Sequence, residues 1–285
     1  MSEIVLSAPA AGYFTSRRLG LALSGLVIFC LVMMALFAPQ IAPYDPMEID
    51  LDARLAPMSP AHLLGTDHLG RDMASRLVWG TRASLGAVFL IAVLIMVTGF
   101  TVGSISGFAG GRVDTVIMRV CEGFMTFPTF ILALFLIGVL GTGMTNVILA
   151  IVLTHWAWYA RIIRSLVMNL KNRTYVLAAK AAGGGRVKVF LRHIFPQAIS
   201  QLTILATLDL GHMLLHVSGL SFLGLGIQPP TPEWGVMIND ARQQIWSNPE
   251  LAIIPGAMIF LTVLAFNIPG DILRDRLDPS IADAE

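Results

Sequence analysis

Apolar residues run in long blocks along this chain, unlike the two-residue alternation of a half-buried strand or the 3.6-residue stripe of a soluble helix. Six blocks stand out, at 19–38, 84–108, 116–140, 146–163, 198–225 and 251–273. A helix needs about 20 predominantly apolar residues to cross the hydrocarbon core of a bilayer, and within that core it satisfies its own backbone hydrogen bonds. The pattern therefore predicts an all-α membrane protein of about six transmembrane helices. Between the blocks lie polar segments at 43–82, 110–115, 141–145, 164–197 and 226–250.

Composition agrees with the pattern: 55% of the 285 residues are hydrophobic and 13% charged, against about 25% charged in an ordinary soluble domain. The net charge of +1 matters less than where the charges sit. If Arg17 and Arg18 hold the start of the first block in the cytoplasm, 43–82, 141–145 and 226–250 fall outside. The outer segments then carry only Arg54, Arg71, Arg76, Arg82 and Arg242 of the nineteen Lys and Arg, as the positive-inside rule requires. This topology places both termini in the cytoplasm. The arginine pair has the look of a twin-arginine export signal, but the block after it is long enough to span and has no clean small-residue cleavage site, so it is expected to be an uncleaved first helix. Cys30 and Cys121 both lie in apolar surroundings, which gives neither a disulfide nor a cysteine metal site much support.

One apolar block contains ionisable groups. "TLDLGHMLLHVSGL" places Asp209, His212 and His216 at i, i+3 and i+7, on one stripe of a helix turning about 100° per residue. Ionisable groups within a span cost about 2.5–3.5 kcal/mol each on insertion scales, so they turn inward and find partners. Two readings follow: a carboxylate–imidazole bond that fixes helix packing, or a path for a metal ion, since neutral imidazoles suit Ni²⁺. Met213 points off the stripe and is expected to pack. It also occupies the place of the general-base Glu in the zinc-protease spacing H-E-x-x-H, which leaves an intramembrane hydrolase as a remote alternative. Asp67, His68 and Asp72 are expected in turn and cap bonds. Trp156, Trp158 and Tyr159 near the end of the fourth block are expected either to anchor it at the membrane interface or to pack in the core.

Eight basic residues and no acid lie between Arg161 and Arg192. Anionic lipid explains such a loop without nucleic acid. Within it a helix is expected through Ala182, a break at Gly183–Gly185, and a short second helix ending near Pro196. This stretch resembles the EAA loop of ABC-importer permeases, with Ala178, Ala179, Gly183 and Pro196 in register. It departs from that loop at Leu177, His193 and Phe195, which replace a Glu, an Ile and a Leu. "LGTDHLGRDMASRLVWGTRASL" at 64–85 resembles a signature of the dipeptide, oligopeptide and nickel branch of these permeases. "LTHWAWYARIIRSL", "LATLDLGHMLLHVSGLSFLGLG" and "PEWGVMINDARQQIW" are most similar to the second membrane subunit of its nickel-importing members.

The resemblance implies a type I ABC-importer permease, MetI-like in architecture, in a bacterial inner membrane. Residues 1–82 would comprise a tail, the first transmembrane helix and an external segment. Residues 83–285 would form a core of five transmembrane helices, with the coupling loop near 164–197. It further implies nickel, free or chelated, as the transported substrate, with Asp209, His212, His216 and His155 along its path; a peptide cargo is the alternative. No cofactor is expected on this chain. The chain has no G-x-x-x-x-G-K-[ST], the loop that cradles nucleotide phosphates. ATP is accordingly expected on two cytoplasmic ATPase subunits docked at Ala178, Ala179, Gly183 and Pro196. A second permease subunit and an external substrate-binding protein complete the implied assembly.

Overall fold

A computed structural model describes the backbone of residues 11–277 and the side chains of 19–272; the side chains of Arg17, Arg18, Arg274 and Arg276, on which the predicted cytoplasmic termini partly rest, lie outside the described residues. The elements are helical: α1 (Ala11–Leu36), α2 (Ala38–Ile41), α3 (Met73–Ala109), α4 (Gly111–Met125), α5 (Thr129–Leu140), α6 (Met144–Lys171), α7 (Thr174–Ala181), α8 (Arg186–Val189), α9 (Phe195–Phe222), α10 (Trp234–Asp240) and α11 (Glu250–Leu277). Among the described residues, five helical stretches are long and apolar enough to cross a membrane: Leu19–Leu36, Met73–Ala109, Met144–Lys171, Arg186–Phe222 and Glu250–Ile272. A sixth crossing requires α4 and α5 together, and these meet at an angle of 87°. The expected straight helix over 116–140 is thus a broken one. Pro128, which precedes α5, has no N–H to donate and disfavours helical geometry at Phe127.

The bundle is organised around α3 and α6, which approach closely because Gly99, Gly103 and Gly107 recur every four residues along α3. A Cβ at Gly103 would run into the Ala160 carbonyl, and one at Gly107 would lie 2.7 Å from the Arg164 carbonyl. Small residues at this spacing let helix backbones pack together where lipid offers no hydrophobic drive. Gly211 of α9 and Gly270 of α11 do the same for that pair, against Asn267 and Leu208. α1 packs on α3 and α11 but leaves Leu23, Leu26, Phe29 and Val32 exposed, as a peripheral lipid-facing helix would.

One end of the bundle is capped by the segment 42–72 and by α10. Arg71 and Arg76 are buried there and converge on two carboxylates. The Arg71 guanidinium donates to Asp67 Oδ2 (2.6 Å) and to Asp240 Oδ2 (3.0 Å), and Arg76 reaches the same Asp240 oxygen at 3.1 Å. Trp234, fully buried, donates from its indole nitrogen to the Leu77 carbonyl at 3.2 Å. Gly70 has φ +77°, and a Cβ there would collide with the Asp50 carbonyl. Asp72 caps α3, accepting from the Ser75 backbone N–H at 2.7 Å; Asp67 closes a turn by accepting from Leu69 and Arg71. Both residues do what a turn-and-cap reading expects of them; His68 does not, since its buried Nδ1 bonds no protein group.

At the other end α3, α4 and α6 are tied by Asp114, which accepts from Arg164 Nε (2.7 Å) and the Ser106 hydroxyl (2.6 Å). Lys171 donates to the Gly107 carbonyl at 2.7 Å. Two expectations about the basic loop are corrected here. The helix expected through Ala182 is interrupted at Asn172–Arg173, so α6 and α7 are separate. Pro196 does not end a short helix: α8 passes through a π turn at Phe190–Ile194 into α9, and Pro196 sits in the first turn of α9. The Phe195 N–H still reaches the Phe190 carbonyl across the π turn, and Pro196, which has no N–H to give, falls where that wider turn passes into α9.

Candidate functional site

The bend between α4 and α5 leaves a cavity of about 370 Å³ between those helices, α6 and α9. Phe124, Met125, Phe127 and Thr129 line it from the bend, Thr154, His155 and Trp158 from α6, and Asp209, His212 and His216 from α9. All four residues predicted to form the path therefore face one space. The three on α9 do so because their spacing puts them on one side of that helix. His155 joins them because α6 brings that part of its length opposite Asp209.

The bonding within the cavity follows a different pairing from the one a single helix suggests. Asp209 Oδ2 accepts two hydrogen bonds from α6, from His155 Nε2 and from the Tyr159 hydroxyl, each at 3.0 Å. His212, on Asp209's own helix, is only loosely associated: its Nδ1 is 3.7 Å from Asp209 Oδ1 and its side chain is 67% exposed. His216 donates from Nδ1 to the His212 backbone carbonyl at 2.8 Å. Its ring lies 6.2 Å from that of His155 and 6.1 Å from that of Phe130, centre to centre. Asp209 thus makes the carboxylate–imidazole bond of the packing reading, on a surface that also lines the cavity. Among the described residues, no three His, Cys, Asp or Glu side chains are placed to hold a metal ion together.

Tyr159, expected only among the aromatic residues, also belongs to the site. Its ring is fully buried, and its hydroxyl bonds Asp209 inside the bundle at 3.0 Å. Trp156 packs edge-on against Phe124, while Trp158 is a cavity wall. Trp156 and Tyr159 thus pack in the core, as the second of the two readings expects, and Trp158 lines the cavity. A usable signal was the four-residue spacing of His155 and Tyr159, which puts both on one helix face. Met213 is buried, as expected.

The loop residues predicted to couple to an ATPase lie at the end opposite the cap. Ala178 is exposed and Ala179 half-buried on α7; Gly183 follows with φ +83°, and Gly184 donates to the Ala179 carbonyl at 3.0 Å. Val176, Val189 and Ile194 are buried beneath, holding the turn to the bundle. Leu177, Val187 and Leu191 are exposed above them, at 49%, 70% and 55%. Pro196 is exposed at the start of α9, so the four in-register positions share a region without forming one continuous motif.

Residues 99–283 match the family described as "Binding-protein-dependent transport system inner membrane component", and residues 14–57 match the N-terminal TM domain of oligopeptide transport permease C. The chain is 53% identical to the nickel transport system permease protein NikC of Escherichia coli (strain K12), over 94% of this chain and 97% of that protein. It is 40% identical to the metal-staphylopine import system permease protein CntC of Staphylococcus aureus (strain NCTC 8325 / PS 47), over 91% and 90% of the two chains. Identity to the dipeptide transport system permease protein DppC of Haemophilus influenzae is also 40%, over 94% and 93%. A crystal structure of an amino acid ABC transporter with histidines shares the fold at a TM-score of 0.55 and 18% identity, covering 72% of this chain and 95% of that one.

Proposed function

The chain belongs to the family of binding-protein-dependent transport system inner membrane components, and on that premise we propose that it passes nickel across the inner membrane. It is a membrane-spanning permease subunit of an ATP-driven importer, with ATP hydrolysis on separate subunits. Asp209, His212, His216 and His155 form the polar side of the path, and a second permease subunit supplies the facing side. The cap formed by 42–72 and α10 lies outside, where a substrate-binding protein delivers the cargo. The α7 region lies in the cytoplasm, where Ala178, Ala179, Gly183 and Pro196 meet two ATPase subunits. Closure of the ATPases on ATP moves the loop, and the loop tilts the spans to open the path on alternate sides.

The observation that carries this reading is the convergence of three imidazoles and a carboxylate on one cavity, in a chain 53% identical to a nickel permease. Imidazole nitrogens suit Ni²⁺, and a set that does not close around an ion suits a path that must release it. A dipeptide cargo is favoured by one observation: the cavity has apolar and aromatic walls and is far larger than a bare ion requires. Cells lacking this chain and cells carrying it are to be compared for uptake of ⁶³Ni and of a labelled dipeptide. Nickel uptake that returns with the chain supports the proposal; dipeptide uptake that returns while nickel uptake does not would replace it.

A further inference from the structure

The hydrogen bonds in the cavity assign a tautomer to two of its histidines. An ionised carboxylate is an acceptor only, so the contact between His155 and Asp209 requires the proton on His155 Nε2. The neutral ring then keeps a bare lone pair on Nδ1. A backbone carbonyl is likewise an acceptor only, so the contact between His216 Nδ1 and the His212 carbonyl requires the proton on Nδ1 and leaves Nε2 bare. Two imidazoles on different helices, with ring centres 6.2 Å apart, are each held by a second bond that orients the ring and raises the basicity of the free nitrogen. Asp209 is itself held by the buried Tyr159 hydroxyl at 3.0 Å.

Resting on the nickel reading above, we infer that His155 and His216 are the two groups that touch the passing metal, and that Asp209 and Tyr159 are positioning residues. With metal–nitrogen bonds of about 2.1 Å, two rings sharing one ion have centres between about 4.5 Å (right-angled) and about 6.5 Å (linear) apart. The observed spacing lies inside that window. His212 fits the role less well, since its side chain is largely exposed and 3.7 Å from the carboxylate, with no second bond to fix its ring. Asp209 Oδ2 is committed to the two bonds that orient His155 and Tyr159, which makes this carboxylate a positioning group. A two-point contact between α6 and α9 also loosens if the two helices shift during the transport cycle. It can therefore be made on one side of the membrane and broken on the other.

The test uses the assembled importer in membranes, treated with diethyl pyrocarbonate, which acylates the bare nitrogen of neutral imidazoles, in the presence of Ni²⁺ or of Mg²⁺ as control. Peptide mass spectrometry then reads each histidine. Nickel is expected to protect His155 and His216 while His212 keeps its reactivity, and His155→Gln is expected to abolish protection of His216. In ⁶³Ni uptake, His155→Gln and His216→Gln are each expected to lower the rate about tenfold or more, and the double variant little further, as for two ligands of one ion. Protection of His216 that survives His155→Gln, or of His212 alone, overturns the assignment. So does wild-type-like uptake in either Gln variant. If the unmodified importer takes up no nickel at all, the nickel reading itself fails and the pair falls with it. Nickel uptake by the wild type that is indifferent to both histidines sinks only the pair.

Discussion

Asp209 is the residue on which most of the site's geometry turns, because both of its α6 partners would lose their acceptor without it. Asp209→Ala leaves the buried Tyr159 hydroxyl without its acceptor, at about 1–3 kcal/mol, and frees His155 Nε2 at the cavity wall. The purified complex is expected to melt at a lower temperature, and Asp209→Asn, which keeps one acceptor, is expected to recover part of the loss. A second carboxylate behaves differently. Glu233 lies outside the spans, fully buried, capping α10 through the Val236 N–H at 3.1 Å and accepting from the Ser84 hydroxyl at 2.9 Å. Burial pushes its carboxyl above the usual carboxylate range, more than its hydrogen bonds to Ser84 and to backbone N–H groups pull it down. The folded form therefore holds the proton more tightly than the unfolded one. That contribution to stability is full below the unfolded pKa and is lost as pH rises through the folded value. Glu233→Gln, which needs no proton to be neutral, is expected to melt higher than wild type at alkaline pH, with the difference shrinking toward acid; a constant difference across pH would contradict this. At this scale the sequence was informative only along one helix. The Asp209–His216 stripe follows from helical period, but the bonds from Asp209 to His155 and Tyr159 span 54 and 50 positions and depend on how α6 lies on α9.

Elements were legible where bilayer thickness dictates them and obscure where a helix breaks inside an apolar run. Five blocks became spanning helices because the hydrocarbon core leaves the backbone no other way to pair. The third did not, since hydropathy is blind to a single Pro128 among Phe127 and Thr129. The separation of α6 from α7 is marked only by the short polar run 171–174, and Pro196 reads as a helix end where it follows a π turn instead. The α3 glycines were readable as a four-residue repeat that hydropathy alone passes over. Gly103→Val is expected to push α3 off Ala160 at a cost of about 1–3 kcal/mol in overpacking, lowering the yield of folded, detergent-stable protein; an unchanged yield and melting temperature would show that the helices tolerate wider spacing. Gly183 carries φ +83°, which a β-branched residue adopts only under strain. Gly183→Val is expected to leave the chain inserted but reduce co-purification of the ATPase and transport together. Survival of both would remove the loop from the coupling role.

At the scale of the molecule, the proposed orientation, with the cap outside and the basic loop in the cytoplasm, rests on the charge asymmetry between the two ends. A reporter fused after Arg173 is expected to behave as cytoplasmic and one within 43–60 as external; opposite labelling would overturn the topology. In that orientation the outer cap is rigidified by the Arg71, Arg76, Asp67 and Asp240 network, the inner end by Asp114 and Arg164, and the cavity sits between them beside the bent α4–α5 pair. The central claim is that the α9 histidine face passes nickel rather than merely holding helices together. Its most direct measurement is ATP-driven ⁶³Ni accumulation by the complete importer in proteoliposomes, with His212 and His216 both replaced by Leu, or both by Gln. Leu is favoured in the bilayer and removes the ligands, while Gln keeps hydrogen bonding and binds metal poorly. Accumulation is expected to be lost in both pairs while the complex assembles and its ATPase still responds to loaded binding protein. Accumulation at the wild-type rate in the Gln pair would contradict it and leave that face a packing surface.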